Sequence, residues 1–214
     1  MSTTKQEGRH PIFARMYTRM SAKAEERGGA EHRDRLLVGL TGRVVEVGAG
    51  NGLNFAHYPE TVSEVVAVEP EPYLREQARE AAERTAVTIH VLDGLADAIP
   101  ADDETFDAGV ASLVLCSVSD QRRALAELYR VIHPGGELRF YEHVVARDAM
   151  PAALQRAADA TLYPRLSGGC HLARDTSAAI ERAGFTIETC DRFGFTPMPT
   201  PPKIPHILGS ARRP

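Results

Sequence analysis

The feature that most constrains this chain is an alternation. From Arg43 onward, short runs rich in β-branched residues (RVVEV, VSEVVAVEP, VTIHVL) are separated by stretches of a different periodicity. Runs of this length and composition read as strands. Between the second and third lies PYLREQAREAAER, rich in Ala, Glu and Arg with a proline in its first turn, which reads as a helix. FDAGVASLVL reads as a fourth strand and DQRRALAELYRVIH as an amphipathic helix with Leu125, Leu128 and Ile132 on one face. ELRFYEHV follows an HPGG turn as a fifth strand. ARDTSAAIERAGF reads as a helix closed by Gly184, and TIETCDRFGF and HILGSA as the last strands, with proline-rich PMPTPPKIP between them. Such an alternation predicts an α/β, Rossmann-like fold: a mostly parallel seven-stranded sheet with helices on both faces.

Three stretches depart from the pattern. Residues 1 to 42 include the charged SAKAEERGGAEHRDR, which predicts one or two helices broken near Gly28 and Gly29, a lead-in or lid ahead of one domain over residues 43 to 214. Between residues 92 and 106, DGLADAIPADDET leaves little room for the crossover helix that two parallel strands normally need. MPAALQRAADATLYPRLSGGCHL is longer than a connection requires, which marks about residues 146 to 172 as a substrate-covering insertion.

Charge and cysteine content narrow the function. With 25 basic against 29 acidic residues and no basic run, a nucleic-acid partner is not indicated. MSTTKQEGRHPIFARMYTRM is polar and basic throughout, offering neither a signal-peptide core nor a membrane span. Cys116, Cys170 and Cys190 are odd in number and widely spaced, a pattern of neither a disulfide framework nor a zinc site. Reduced thiols in a cytoplasmic protein without a metal are expected.

The chemistry centres on VVEVGAGNGLNF, starting at Val44. Its glycines, Gly48, Gly50 and Gly52, form G-x-G-x-G, and Leu53 stands where a dinucleotide fingerprint has its third glycine. No G-K-[ST] follows, so a Walker loop is excluded. Glu46 repels an anion at the strand end and favours a cationic group. Glu69 ends the second strand at roughly the twenty-residue separation from which an acid accepts hydrogen bonds from a ribose diol. The expected ligand carries a ribose and an ammonium and needs no phosphate.

That combination describes S-adenosylmethionine. VVEVGAGNG, the strand ending in Glu69, FDAGVASLVLCSV and LYRVIHPGGELRFYEHV resemble, in order over residues 43 to 145, the motifs of class I S-adenosylmethionine-dependent methyltransferases. The likeness is to the small-molecule type related to the ubiquinone and menaquinone C-methyltransferases. SLVLCSV, the PGG turn leading into EHV, and GGCHLARDT further resemble a group of membrane-associated thiol S-methyltransferases and their soluble bacterial relatives. That group's N-terminal membrane anchor has no counterpart here, so the resemblance implies a soluble member. It also implies that Glu46 lies near the methionine amine and that Gly48 and Gly50 let the backbone approach the cofactor. Glu69, followed by Pro70, holds the ribose. Gly94 and Leu95 fall where the family often has Gly-Asp facing the adenine amino group. Leu95 departs from that pattern and leaves adenine to backbone groups, packing or Asp93. Leu113 lines the cofactor near its reactive sulfur.

The acceptor side is less determined. Glu142 and His143 end the fifth strand at the carboxyl edge of the sheet, where ligands bind in open α/β folds, and Glu142 reads equally as a cap. His143 and His171 are the candidate bases. Cys170 and Tyr17 are candidate substrate contacts, each with a purely structural alternative. Cys116 and Cys170 are not needed as nucleophiles, because a sulfonium is already an activated electrophile. The expected activity is methyl transfer to a small molecule, a thiol first and an O, N or C acceptor second, leaving S-adenosylhomocysteine. A non-catalytic binding protein is the reading from another class. SLVLCSV lacks the Asn/Asp-Pro-Pro-aromatic element of many enzymes that methylate base amino groups.

Overall fold

The computed structural model describes residues 11 to 196 and 203 to 214. Residues 1 to 10 of the lead-in and most of the proline-rich stretch before the last strand lie outside the described residues. The chain opens with α1 (Pro11–Ala24), a wide π-type turn (Glu25–Gly29) and α2 (Ala30–Leu37). Gly28, at φ 112°, supplies the backbone conformation that breaks the helical path between them. Then follow β1 (Gly42–Val47), β2 (Val62–Val68), α3 (Pro72–Ala82), β3 (Thr88–Leu92), β4 (Phe106–Ser112), α4 (Gln121–Val131) and β5 (Ile132–His143). The last elements are α5 (Ala149–Asp159), α6 (Tyr163–Leu166), α7 (Thr176–Arg182), β6 (Thr186–Phe195) and β7 (Ile204–Arg212).

The seven strands form one sheet in the order β3-β2-β1-β4-β5-β7-β6. The first five are mutually parallel, and β7 runs antiparallel between β5 and β6. The chain winds outward from β1 to β3 and returns to β4 beside β1, so the order reverses between these two strands. The connections leaving the carboxyl ends of β1 and β4 therefore run to opposite sides, the kind of reversal beside which open α/β sheets bind ligands.

Strand alternation divides the core. Val45 and Val47 of β1 pack with Leu125 and Leu128 of α4 and Ile180 of α7. Val44 packs on the opposite face with Leu36 and Leu37 of α2 and Ala78 of α3. A period of two puts Glu46 on the face of Val44, inside the core. Among the described residues, no helix is long and apolar enough to cross a membrane.

Two boundaries differ from the pattern-based reading. β4 stops at Ser112 instead of running through SLVL. HPGG lies within the span of β5 as a bulge, where the pairing jumps from Phe106 with Ile132 to Ala108 with Glu137. Between β3 and β4 there is no crossover helix, only an irregular segment closed by a bridge between Leu95 and Ala98.

Candidate active site

The glycine loop follows β1 with Gly48, Gly50 and Gly52 all at positive φ, 64°, 58° and 79°. A side chain at Gly48 would also overlap Val114. Four of the loop's donors are already in use. Gly48 and Ala49 donate to the Val68 carbonyl at 2.8 and 3.2 Å, Gly52 to the Ala49 carbonyl at 3.0 Å, and Gly50 to Glu69 Oε2 at 2.8 Å. A phosphate cradle needs such N–H groups free and convergent. This is a firmer argument against phosphate than the charge of Glu46.

Glu69 is buried, and its other oxygen accepts from the Glu71 N–H at 2.9 Å. Each oxygen thus takes one backbone donor and keeps a lone pair, the arrangement that a vicinal diol requires. Burial raises the Glu69 pKa against the pull of these two donors. Pro70 offers its carbonyl to Arg75 Nη1 at 3.1 Å, and the same nitrogen reaches Asp93 Oδ1 at 3.1 Å. Asp93, one of the candidates for holding adenine, is therefore paired with Arg75. A side chain on Gly94 would press on Val68 Cγ1 at 2.8 Å, and the Leu95 carbonyl accepts from the Ala98 N–H at 3.1 Å.

Glu46 is not a carboxylate standing open at the strand end. It is 2% exposed, accepts from Asn54 Nδ2 at 2.8 Å and from the Tyr58 hydroxyl at 2.7 Å, and so shares the core of the α2 face. Asn54 Oδ1 in turn accepts from Arg33 Nη1 at 2.5 Å, and Arg33 Nε pairs with Glu25 at 2.9 Å. Burial pushes the Glu46 pKa up to about 7, opposed by the two side-chain donors and by the Arg33 charge. A cation arriving beside it would favour the ionised form.

Beyond β4 the chain turns sharply. Leu113 adopts φ 57°, unusual for a residue with a branched side chain, and its N–H donates to the Tyr141 carbonyl at 2.6 Å. Glu142 explains the turn. Its side chain is fully buried, with Oε1 accepting from the N–H groups of Val114 and Leu115 at 3.0 and 2.8 Å and Oε2 from Cys116 at 3.0 Å. This corrects the reading of Glu142 as a substrate contact: it caps the turn that ends β4 and does not face open space. Burial raises its pKa despite these donors.

The insertion docks on the same turn. The His171 N–H donates to the Cys116 carbonyl at 2.8 Å, and Arg174 donates to the carbonyls of Leu115 and Val118 at 2.6 and 2.7 Å. A Cβ on Gly169, at φ 90°, would stand 2.5 Å from the Ser117 carbonyl oxygen. SLVLCSV and GGCHLARD are thus two halves of one contact. Docking them brings Cys116, His143 and Cys170 together: Nδ1 of His143 is 3.3 Å from the Cys170 sulfur and 3.7 Å from that of Cys116, and the sulfurs are 3.8 Å apart. The hydrogen bond to Cys170, then burial, pushes the Cys116 thiol up to about 12. Burial works to lower the His143 pKa, the contact with Cys116 outweighs it, and the net direction is upward. His206 meets the His143 ring edge to face at 4.4 Å. Burial and the neighbouring His143 hold its own pKa down to about 3.

Two other candidates separate. Tyr17 of α1 lies over the glycine loop, its hydroxyl 3.5 Å from where a Gly50 side chain would begin, with its pKa raised by burial. His171 instead turns its Nδ1 toward Asp159, 3.9 Å from Oδ2, and is not brought to the cluster. Sequence reasoning missed Arg33, Asn54, Tyr58 and His206. They come from the lead-in helix, a loop and the last strand, and no local spacing joins them.

A family model described as a methyltransferase domain matches residues 45 to 140. Over 206 residues the chain is 36% identical to the thiol S-methyltransferase TMT1B of Mus musculus, covering 94% of this chain and 82% of that protein. It is 35% identical over 134 residues to the malonyl-[acyl-carrier protein] O-methyltransferase of Salmonella typhimurium, covering 60% of this chain and 52% of that protein. The fold is similar to that of a geranyl diphosphate methyltransferase solved in complex with S-adenosylmethionine, with a TM-score of 0.69, 14% identity and 87% and 84% of the two chains covered. With the sheet order, the glycine loop and relatives that span nearly its whole length, the chain belongs to the class I S-adenosylmethionine-dependent methyltransferases, in the group that holds the thiol S-methyltransferases.

Proposed function

We propose that this enzyme methylates a small-molecule thiol. What carries the reading is the chemistry at the carboxyl edge of β4 and β5, where Cys116, Cys170 and His143 present sulfur and imidazole. The similarity to TMT1B over 94% of the chain supports it. The donor, when bound, supplies an activated methyl group on a sulfonium. In this reading Glu69 accepts the ribose hydroxyls beside Pro70, Glu46 draws the methionine ammonium, and Gly48 and Gly50 allow the backbone to approach. Gly94 and Leu95 border the adenine, with backbone groups as its polar contacts, and Leu113 sits beside the donor sulfur. Tyr17 covers the loop and helps exclude water, while His143 is placed to take the acceptor's proton. An unperturbed thiol has a pKa of about 8.5, so this acceptor makes a modest demand on a base.

The test is transfer of a labelled methyl group from S-adenosylmethionine to a panel containing an alkyl thiol, an aromatic thiol, a phenol, an amine and a malonyl thioester. Turnover confined to the thiols supports the reading. Turnover of the phenol, amine or malonyl carboxylate with the thiols inert overturns it.

A further inference from the structure

We propose that Cys116, His143 and Cys170 form a three-point site for one thiophilic cation of the Zn2+ type, a ligand set that leaves the fourth position of a tetrahedral ion unfilled by these residues. The argument begins with the triangle of ligand atoms: Sγ to Sγ 3.8 Å, and Nδ1 to the two sulfurs 3.7 and 3.3 Å. Tetrahedral zinc with Zn–S of about 2.3 Å and Zn–N of about 2.0 Å places two sulfurs about 3.8 Å apart and sulfur and nitrogen about 3.5 Å apart. The protein's triangle has those dimensions, and all three residues can offer a ligand atom to one ion.

The ligands are also held before any ion arrives. Cys116 is fixed by its N–H bond to Glu142 and by the His171 N–H on its carbonyl. Cys170 is fixed by the close fit of Gly169 on Ser117, and His143 by its place in β5 opposite His206. Ordering a site in advance lowers the entropy lost on binding. Two thiolates and a neutral imidazole balance a divalent charge. The nearby Glu142 and Arg174 are each satisfied by backbone groups, the one by N–H donors and the other by carbonyls. A disulfide would bring the sulfurs from 3.8 Å to about 2.05 Å and would leave His143 without a part. Spacing hides the cluster: the three residues lie 27 positions apart on three separate elements.

The role of the open position rests on the thiol reading above. With an ion bound, His143 would serve as its ligand in place of the base role given it above, and an acceptor thiol that lost its proton to solvent could be held as a thiolate at the fourth position. A sulfur lone pair then forms the new S–CH3 bond as the sulfonium S–CH3 bond breaks, and the departing sulfur keeps that electron pair. The methylated product would be a neutral thioether, a weaker ligand for such an ion than the thiolate.

The experiment uses the full chain, purified under reducing conditions. Elemental analysis is expected to find about one zinc per chain, and Co2+ exchanged for it to give thiolate-to-cobalt charge-transfer absorption and tetrahedral ligand-field bands. Cys116→Ser and Cys170→Ser are each expected to abolish both signals, while Cys190→Ser keeps them. Calorimetric binding of S-adenosylmethionine by each variant checks that it is folded. Absence of stoichiometric metal with no cobalt spectrum overturns the site, as does a spectrum that survives both serine variants. Metal binding without thiol turnover upholds the site and removes the thiol reading. Undiminished thiol turnover after chelation upholds that reading and removes the metal's part in it.

Discussion

The backbone N–H of Gly50 donates to Glu69 Oε2 at 2.8 Å, which ties the loop after β1 to the end of β2. One interaction does two things. It consumes a donor that a phosphate-binding loop would keep free, and it fixes the orientation of the carboxylate to which the proposed function gives the ribose.

Replacing Glu69 is therefore expected to act on the cofactor first. Hydrogen bonds to a charged group contribute about 1.5 to 3 kcal/mol each, so Glu69→Ala should weaken S-adenosylmethionine binding by roughly tenfold to more than a hundredfold. Glu69→Gln should fall between, because its amide NH2 would oppose a backbone N–H. Titration calorimetry measures both, and unchanged affinity would remove the ribose assignment.

Glu46 makes the enzyme's stability depend on pH. Its folded-state pKa is pushed up to about 7 from 4.5, so its contribution is fully present below pH 4.5 and is lost as pH rises through 7. A rise of that size corresponds to an ionisation penalty on the order of 3 kcal/mol. Urea unfolding should show Glu46→Gln gaining on the parent between pH 5 and pH 8; parallel profiles would contradict this. If the cofactor's ammonium settles beside Glu46, binding near pH 7 should also release protons. Calorimetry in buffers of different ionisation enthalpy detects the release, and Glu46→Gln should abolish it.

How far the site was legible follows from where its parts lie in the chain. The glycines, Glu46 and Glu69 fall within one β-loop-β stretch, so strand periodicity and spacing were enough to find them. In sequence Glu46 reads as open at the strand end, and its burial went unseen because its partners could not be read: Arg33 comes from the lead-in helix and Tyr58 from beyond the loop. SLVL has strand composition, yet the chain turns there because a carboxylate on the next strand captures the N–H groups of Val114, Leu115 and the following Cys116. Local propensity contains no signal for that, nor for a leucine at positive φ. The cysteine-histidine cluster depends on tertiary docking alone, and its even 27-residue intervals match no ligand-spacing pattern.

The Glu142 cap is expected to be structural in effect. Removing the carboxylate leaves the buried N–H groups of Leu115 and Cys116 and the part-buried one of Val114 unpaired, each buried group costing about 1 to 3 kcal/mol. Glu142→Ala should lower unfolding stability by several kcal/mol, and Glu142→Gln by less, since one amide oxygen can still accept. Denaturant unfolding distinguishes the two. A Glu142→Ala protein of parent stability with only its acceptor KM raised would restore Glu142 as a substrate contact.

Gly169 tests whether the insertion must stay docked for the acceptor to be used. Gly39 provides the control, with φ 78° and nothing within 4 Å of an added Cβ, so Gly39→Ala carries backbone strain alone, about 1 to 2 kcal/mol. Gly169→Ala carries similar strain plus a contact of 2.5 Å with the Ser117 carbonyl oxygen, part of a backbone that the Glu142 cap and Arg174 hold in place. The clash is relieved by lifting the loop that carries Cys170 and His171. Calorimetry and steady-state kinetics should then show unchanged cofactor affinity and a raised acceptor KM in Gly169→Ala, with both near parent values in Gly39→Ala. Equal losses on the two sides of the reaction would mean that the insertion serves the fold as a whole and has no particular part in holding the acceptor.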